Sequence, residues 1–179
     1  MKNWYVVSGA PSSGKTTVIN ELKNRGYNIL PETATYIIEQ ELHLGKNLEE
    51  IRKGDTKALQ RKIIDLQVAW EKNINPKTLT FLDRGIPDIF AFYKFYNLSL
   101  DEYLLEVYRQ SDYRKIFLFD VLPLKSNHVR IEKKKDLSIL DILHEEAYQE
   151  LGLSYQRVPI MKIEDRADFI INNLQEPIE

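Results

Sequence analysis

Short apolar runs alternate with longer amphipathic stretches along this chain. The runs are rich in aliphatic, aromatic and β-branched side chains and are followed by turn or polar residues, which is typical of buried strands. They predict five strands: Trp4–Ser8, Tyr27–Leu30, Leu79–Leu82, Lys115–Phe119 and Tyr155–Val158. Strands separated by helices in this way predict an α/β fold, with a parallel sheet covered by helices.

The stretches between the strands have the period of amphipathic helices. They predict seven helices: Lys15–Asn24, Thr33–His43, Thr56–Asn73, Ile86–Tyr96, Leu100–Arg109, Ser138–Leu151 and Ile163–Leu174. Ser138 is expected to cap the sixth helix, and Glu164 and Asp165 place negative charge in the first turn of the last one. A chain of 179 residues that is 43% hydrophobic can bury one substantial core, so we predict a single domain over residues 1–179.

Charge and composition exclude several classes of function. The 25 basic and 27 acidic side chains give a net charge of −2, which provides no overall positive field for a nucleic acid partner. The chain has no cysteine, which excludes disulfides and thiolate chemistry. No apolar stretch approaches the roughly 20 residues that span a bilayer, and the first one is too brief for a signal peptide. We therefore expect a cytoplasmic protein without a membrane partner.

One motif carries most of the chemical information. The segment from Gly9 to Thr16, GAPSSGKT, fits the pattern G-x-x-x-x-G-K-[ST] without a mismatch, directly after a predicted strand and before a predicted helix. Gly9 and Gly14 allow successive backbone N–H groups to point at phosphate oxygens, and the helix adds the positive end of its dipole. The residues of this P-loop expected to bind the nucleotide are Gly9, Ala10, Pro11, Ser12, Ser13, Gly14, Lys15, Thr16 and Thr17.

Individual side chains at the phosphates have separate expected roles. Lys15 is expected to reach the β- and γ-phosphates as a catalytic cation, and Thr16 to place its hydroxyl on Mg²⁺. An acidic residue at the end of a neighbouring strand should hold the same metal directly or through water, and Asp83 follows the third strand. Arg84, the next residue, is expected to face the phosphoryl acceptor.

Three segments carry a resemblance to a known family. GAPSSGKTT after a strand, PETA at Pro31–Ala34 and FLDRGIPD at Phe81–Asp88 resemble the small P-loop ATPase and kinase-like domains that are labelled AAA-type ATPases. This family is related to nicotinamide riboside kinase, deoxynucleoside kinases and thymidylate kinase. The resemblance covers nearly the whole chain, and it implies a three-layer P-loop fold with strand order 2-3-1-4-5.

The resemblance also implies roles on the acceptor side. In these relatives an acid after the second strand and an acid–arginine pair after the third handle the acceptor, which corresponds here to Glu32 and to Asp83 with Arg84. From its position alone, Glu32 is either a base or sugar ligand or an acid that stabilises the start of a helix. The match departs at Thr35, in a region where many members of the family carry an arginine.

The basic segment from Lys125 to Asp136 lies between the fourth strand and a helix, where kinases of this type carry a mobile lid. We predict a lid over residues 124–137, whose closure adds positive charge around the transferred phosphoryl group. Arg130 matches the family's lid arginine and is the expected catalytic contact, because a guanidinium can engage two phosphate oxygens. The lysine run at 133–135 is more typical of a solvated face.

The helix predicted over residues 86–96 is dense in aromatic side chains. Phe92, Phe95 and Tyr96 recur at helical spacing, and we expect this stripe to pack mostly into the core. Tyr93 and Asp88 lie off the stripe and are candidates for contact with the acceptor. The three histidines have no spacing suited to a metal site, and none is given a role.

These features favour Mg²⁺-dependent transfer of the γ-phosphoryl group of ATP to a small hydroxyl- or phosphate-bearing metabolite of a nucleoside-like kind. GTP is less expected, because the Asn/Thr-Lys-x-Asp guanine signature is missing and KKKD at 133–136 lacks its first residue. The alternative is an ATP-hydrolysing or ATP-sensing module without a small-molecule acceptor. The sequence leaves the acceptor and the oligomeric state open, a homodimer included.

Replacing Lys15 with alanine tests the P-loop assignment. We expect Lys15→Ala to abolish tight ATP binding or turnover, because the ammonium neutralises the phosphates, while the fold stays intact. Isothermal titration with ATP, together with a thermal melt, measures both effects. Normal turnover in this variant would contradict the assignment.

Overall fold

A computed structural model describes residues 2–123 and 134–174. In these ranges the strands are β1 (Trp4–Ser8), β2 (Asn28–Leu30), β3 (Thr80–Asp83), β4 (Lys115–Phe119) and β5 (Tyr155–Val158). The helices are α1 (Lys15–Asn24), α2 (Thr33–His43), α3 (Leu48–Lys53), α4 (Thr56–Glu71), α5 (Ile86–Phe95), α6 (Glu102–Gln110), α7 (Lys134–Glu150) and α8 (Ile163–Asn172).

The five strands form one parallel sheet in the order β2-β3-β1-β4-β5. Strand β1 is central, with Val6 paired to Leu82 on one side and to Ile116 on the other. Because all the strands run the same way, their carboxyl ends meet at one edge, where α/β proteins bind ligands. The predicted P-loop fold and its strand order are confirmed.

Alternate residues of the central strand face opposite layers of helices, as the two-residue period of a strand requires. Val7 packs in a cluster with Leu22 of α1 and Ile170 of α8. Val6 packs on the other side, against Tyr148 of α7. The sheet is therefore covered on both faces, which makes its strands apolar throughout.

Two helices differ from the sequence prediction by more than two residues at an end. Helix α3 was not predicted, although Asn47 and Glu50 form a reciprocal capping box at its start, with both hydrogen bonds at 2.9 Å. Helix α7 begins at Lys134, so Ser138 lies inside it and the prediction of a serine cap is wrong. Residues 134–137, which we assigned to the lid, belong to the first turn of this helix.

The turn between β1 and α1 depends on close approach of two strands. Gly9 has a φ of +133°, and a Cβ atom built on it would lie 2.8 Å from the carbonyl oxygen of Phe119. Gly14 caps α1 in the left-handed region, at φ +87°. Both positions favour glycine because their φ angles are positive, and at Gly9 there is also no room for a Cβ atom.

In the described ranges, the helices fall short of the length and apolar character that a membrane span requires.

Gly9→Ala should destabilise the protein by roughly 2–4 kcal/mol, because it adds a steric clash with the main chain to the backbone strain. Gly26→Ala is a matched control, since Gly26 also has a positive φ, +90°, but its added Cβ would meet nothing within 4 Å. The control should lose only about 1–2 kcal/mol, the cost of the left-handed conformation. Urea unfolding measures both; equal losses would show that the contact with Phe119 is unimportant.

Candidate functional site

A cavity of about 510 Å³ opens at the carboxyl ends of β1, β2 and β3. The P-loop residues Pro11, Ser12, Lys15 and Thr16 line one end of it. The other end is mostly apolar and lies among α2, α4, α5 and α7. The lining residues at that end include Ile38, Leu59, Ile63, Ile89, Phe92, Phe95, Tyr96 and Leu140. One cavity therefore contains both the phosphate-binding motif and an apolar end, which we call the apolar chamber.

Lys15 is buried and folds back on the P-loop. Its Nζ donates to the carbonyl oxygens of Gly9 and Ala10, both at 2.9 Å, and to Ser13 Oγ at 3.3 Å. Burial, together with the charge of Arg84, lowers the pKa of Lys15 to about 7. A phosphate beside it would stabilise the ammonium form, so this lysine is poised to receive an anion.

Some of the other P-loop residues line the cavity, and others are buried in the protein. Ala10 and Ser13 are buried, and Ser12 has a left-handed φ of +63°. Thr16 is exposed on the cavity wall, whereas Thr17 is exposed and does not line the cavity. The loop thus presents the Lys15 and Thr16 side chains to the cavity.

Arg166 of α8 supports the P-loop from behind. Its Nη1 donates to the carbonyl oxygen of Ser13 at 2.8 Å, and its Nε donates to that of Pro159 at 3.0 Å. The residue is 2% exposed, and burial lowers its pKa. Sequence reasoning gave Arg166 no role, because it lies in the last predicted helix, far along the chain from the P-loop.

Asp83 ends β3 beside Val7 of β1, the strand that leads into the P-loop. Burial and the negative charge of Glu32 raise the pKa of its carboxyl to about 6. Its Oδ1 is buried and has no hydrogen-bond partner in the part of the chain that the structure describes. An unpaired carboxylate oxygen at this position suits Mg²⁺, which takes one or two protein oxygens and keeps water and phosphate as its other ligands.

The described ranges hold no group of three or more His, Cys, Asp or Glu residues that could bind a metal ion by themselves.

Arg84 and Glu32 form an ion pair across the cavity wall. Arg84 Nε donates to Glu32 Oε1 at 2.7 Å, and Thr35 Oγ1 donates to Glu32 Oε2 at 2.6 Å. Burial raises the pKa of Glu32, but the charge of Arg84 and the Thr35 hydrogen bond outweigh it and the pKa is lowered. Arg84 also has a left-handed φ of +72°, a strained conformation of the kind that clusters at functional sites.

The sequence matches the AAA domain family over residues 4–166. The chain belongs to this family. No curated protein sequence matches it.

Solved structures similar to this AAA domain share the fold at low identity. Deoxyadenosine kinase from M. mycoides is 16% identical, with a TM-score of 0.64 over 96% of this chain and 98% of that one. Thymidylate kinase from Ehrlichia chaffeensis is 15% identical, with a TM-score of 0.67 over the same shares. NadR protein is 18% identical, with a TM-score of 0.70 over 98% of this chain and 50% of that one.

Asp88 is the second counter-ion of Arg84 in the AAA domain. It is 1% exposed, and its Oδ1 accepts from Arg84 Nη1 at 3.4 Å and from Ser8 Oγ at 2.5 Å, while its Oδ2 accepts from the backbone of Gly85 at 3.0 Å. Burial alone raises the pKa of Asp88, but hydrogen bonding from His144 and the charge of Arg84 lower it to about 2. Asp88 lines the cavity, but its side chain is only 1% exposed, against 26% for that of Glu32, so Asp88 holds Arg84 in place and is less accessible to a ligand.

His144 of α7 completes this cluster. It is fully buried; its Nδ1 donates to the carbonyl oxygen of Leu140 at 2.6 Å, and its Nε2 lies 3.3 Å from Arg84 Nη1 and 3.5 Å from Asp88 Oδ1. Tyr148, one turn later, hydrogen-bonds Ser8. No sequence signal pointed to His144, because its partners are distant in the chain.

The aromatic stripe of α5 faces the cavity, so our expectation of a mostly core position is wrong. Phe92, Phe95 and Tyr96 are half-buried and line the apolar chamber. Tyr93, a candidate for acceptor contact, instead packs fully buried in the cluster with Leu104 of α6. Helical period shows that one face of a helix is covered, but not whether side chains or a ligand cover it.

The lid arginine, Arg130, lies outside the described residues, as do His128 and Lys133, and its role stays a prediction.

Arg166→Met should weaken ATP binding about tenfold, because it removes two charge-assisted hydrogen bonds that hold the P-loop carbonyl of Ser13 and the loop at Pro159. Arg25→Met is the matched control: Arg25 links α1 to Asp168 of α8, but on the surface at the far end of α1. Fluorescent-nucleotide titration measures the dissociation constants, and urea unfolding confirms that both variants fold. Unchanged affinity in Arg166→Met would show that the P-loop keeps its shape without this support.

Proposed function

We propose that this AAA domain is a Mg²⁺-dependent phosphotransferase, which moves the γ-phosphoryl group of ATP to a small acceptor in the apolar chamber. The observation that carries the proposal is the Glu32–Arg84 ion pair, whose two residues line the cavity that contains both the P-loop end and that chamber. An enzyme that only hydrolyses or senses ATP has no need of a separate chamber beside the phosphates. The fold that the chain shares with P-loop kinases supports the same reading.

The residues at the phosphates have distinct proposed tasks. Lys15 leaves its carbonyl partners and binds phosphate oxygens, where its charge offsets the charge that develops during transfer. Thr16 and Asp83 would hold Mg²⁺, which would offset the negative charge of the phosphates. Arg84, fixed by two carboxylates, orients Glu32 toward the acceptor. Catalysis then rests on positioning and on electrostatic stabilisation.

Glu32 is the proposed base. The Arg84 charge keeps its carboxylate ionised, and it lies at the boundary of the two ends of the cavity. An ionised carboxylate within reach of an acceptor hydroxyl can accept its proton as the oxygen attacks the phosphorus. The lowered pKa makes Glu32 a weak base, which suits a reaction in which little proton transfer precedes attack.

The chamber indicates an acceptor with a planar ring. Phe92, Phe95 and Tyr96 supply aromatic surface for stacking. Gln60 of α4 also lines the chamber; it is 5% exposed, and its amide makes no hydrogen bond within the described ranges. Because buried amides seek partners, Gln60 is available to a ring with donors and acceptors on its edge.

The ligands bound in the similar structures support this acceptor class. Deoxyadenosine kinase from M. mycoides has been solved with bound dATP and with bound dCTP, and NadR protein in complex with NR. A nucleoside-like or nucleotide-like acceptor in this chain agrees with the aromatic and amide groups of the chamber.

Glu32→Gln tests the proposal. A screen of nucleosides, nucleotides and vitamins first identifies compounds that stimulate ADP release. With such a compound, the variant should lose on the order of 10²–10⁴ in turnover, through loss of the base, while the dissociation constant for ATP stays within a few-fold of the parent. Glu39→Gln, on an exposed position of the same helix, is the control and should behave as the parent.

An opposite pattern favours the alternative. If no compound stimulates ADP release, and Glu32→Gln hydrolyses ATP at the parent's slow rate, the chain is an ATP-sensing or ATP-hydrolysing module.

A further inference from the structure

Few positive charges line the cavity. Within the ranges that the structure describes, the basic residues on its wall are Lys15 and Arg84, and the acidic ones are Glu32, Asp88 and Asp136. Lys15 belongs to the phosphate end, where its Nζ lies against the P-loop carbonyls. Among the described residues, the acceptor end therefore has Arg84 as its cation, with the carboxylates of Glu32 and Asp88 bonded to it.

The charge of Arg84 is already balanced. Its Nε is bonded to Glu32, its Nη1 faces Asp88 and His144, and its guanidinium carbon lies 5.1 Å from the centre of the Phe92 ring. The formal charges of Arg84, Glu32 and Asp88 sum to −1. A dianionic phosphate brought beside these three residues would lose water next to two carboxylates, which is strongly unfavourable.

Glu32 also favours a hydroxyl group over a phosphate as the acceptor. Its ionised carboxylate repels a phosphate but accepts a hydrogen bond from a hydroxyl group. A phosphate that attacks as an acceptor is ionised at neutral pH and has no proton to lose, so a base in this position would have no task. A hydroxyl group must lose its proton during transfer, and Glu32 is placed to take it.

From these three observations we infer that the acceptor presents an uncharged hydroxyl group, as a nucleoside does, and not a phosphate, as a nucleoside monophosphate does. This inference rests on the proposed phosphotransferase function. In the step, the acceptor oxygen forms a bond to the γ-phosphorus as the bond from that phosphorus to the β–γ bridging oxygen breaks. The bridging oxygen keeps the electron pair and leaves on ADP, and the hydroxyl proton passes to Glu32.

Matched pairs of compounds test the inference. Each ribo- and deoxyribonucleoside, and nicotinamide riboside, is compared with its own 5′-monophosphate for ATP-dependent ADP release by the full chain. We expect at least one nucleoside to be a substrate, with kcat/KM at least about a hundredfold above that of its monophosphate, the penalty expected for an uncompensated phosphate.

The experiment distinguishes failure of this inference from failure of the proposed phosphotransferase function. A preference for a monophosphate over its nucleoside would overturn the inference and leave the phosphotransferase standing. If no member of any pair stimulates ADP release, while ATP binding persists and depends on Lys15, the phosphotransferase itself is wrong and the inference falls with it.

Thr35 allows an independent test by added charge. It lines the cavity beside Glu32 Oε2, so an arginine there would supply the missing cation. Thr35→Val is the control, because it removes the hydroxyl and adds no charge. We expect the inhibition constant of the monophosphate, measured by competition with the nucleoside, to be about tenfold lower in Thr35→Arg than in Thr35→Val. Equal constants in the two folded variants would show that charge at this end does not decide the acceptor, contrary to the inference.

Discussion

The buried guanidinium of Arg84 must be neutralised, and the arrangement of the candidate site follows from that requirement. Glu32 comes to it from the end of β2 and Asp88 from the first turn of α5. Removing one partner of a buried ion pair typically costs about 3–5 kcal/mol, so neither carboxylate is free to take another position. The strained left-handed backbone of Arg84 is maintained because these contacts overdetermine it.

Several elements of the fold are connected through the residues around Arg84. Ser8, at the end of the central strand, hydrogen-bonds the same Asp88 that faces His144 of α7, and Tyr148 of α7 hydrogen-bonds Ser8. The strand that begins the P-loop, the helix that carries the aromatic wall and the helix that follows the predicted lid are thus connected through polar side chains. A shift of α7 by a fraction of a hydrogen-bond length would alter the surroundings of Arg84.

The family resemblance implied the strand order, which brings Glu32 close to Arg84. Local sequence information was sufficient for the P-loop and for the strands, because each depends on a short pattern. It was insufficient for His144 and Gln60, whose environment is built by residues far away in the chain. The prediction that Phe92, Phe95 and Tyr96 pack into the core was wrong for a related reason. The sequence pattern of an apolar helix face is the same whether that face packs in a core or lines a cavity. Helix α3 was not predicted, although Asn47 and Glu50 have the spacing of a capping box.

The contact between Arg166 and Ser13 joins residues 153 positions apart. On the ribosome, the glycines and the lysine of the P-loop emerge early, but their supporting arginine is synthesised only after all five strands and the first seven of the eight described helices. A nascent chain that lacks α8 therefore lacks the hydrogen bonds by which Arg166 holds the carbonyl oxygens of Ser13 and Pro159. The P-loop gains this support last, after every strand of the sheet has been synthesised.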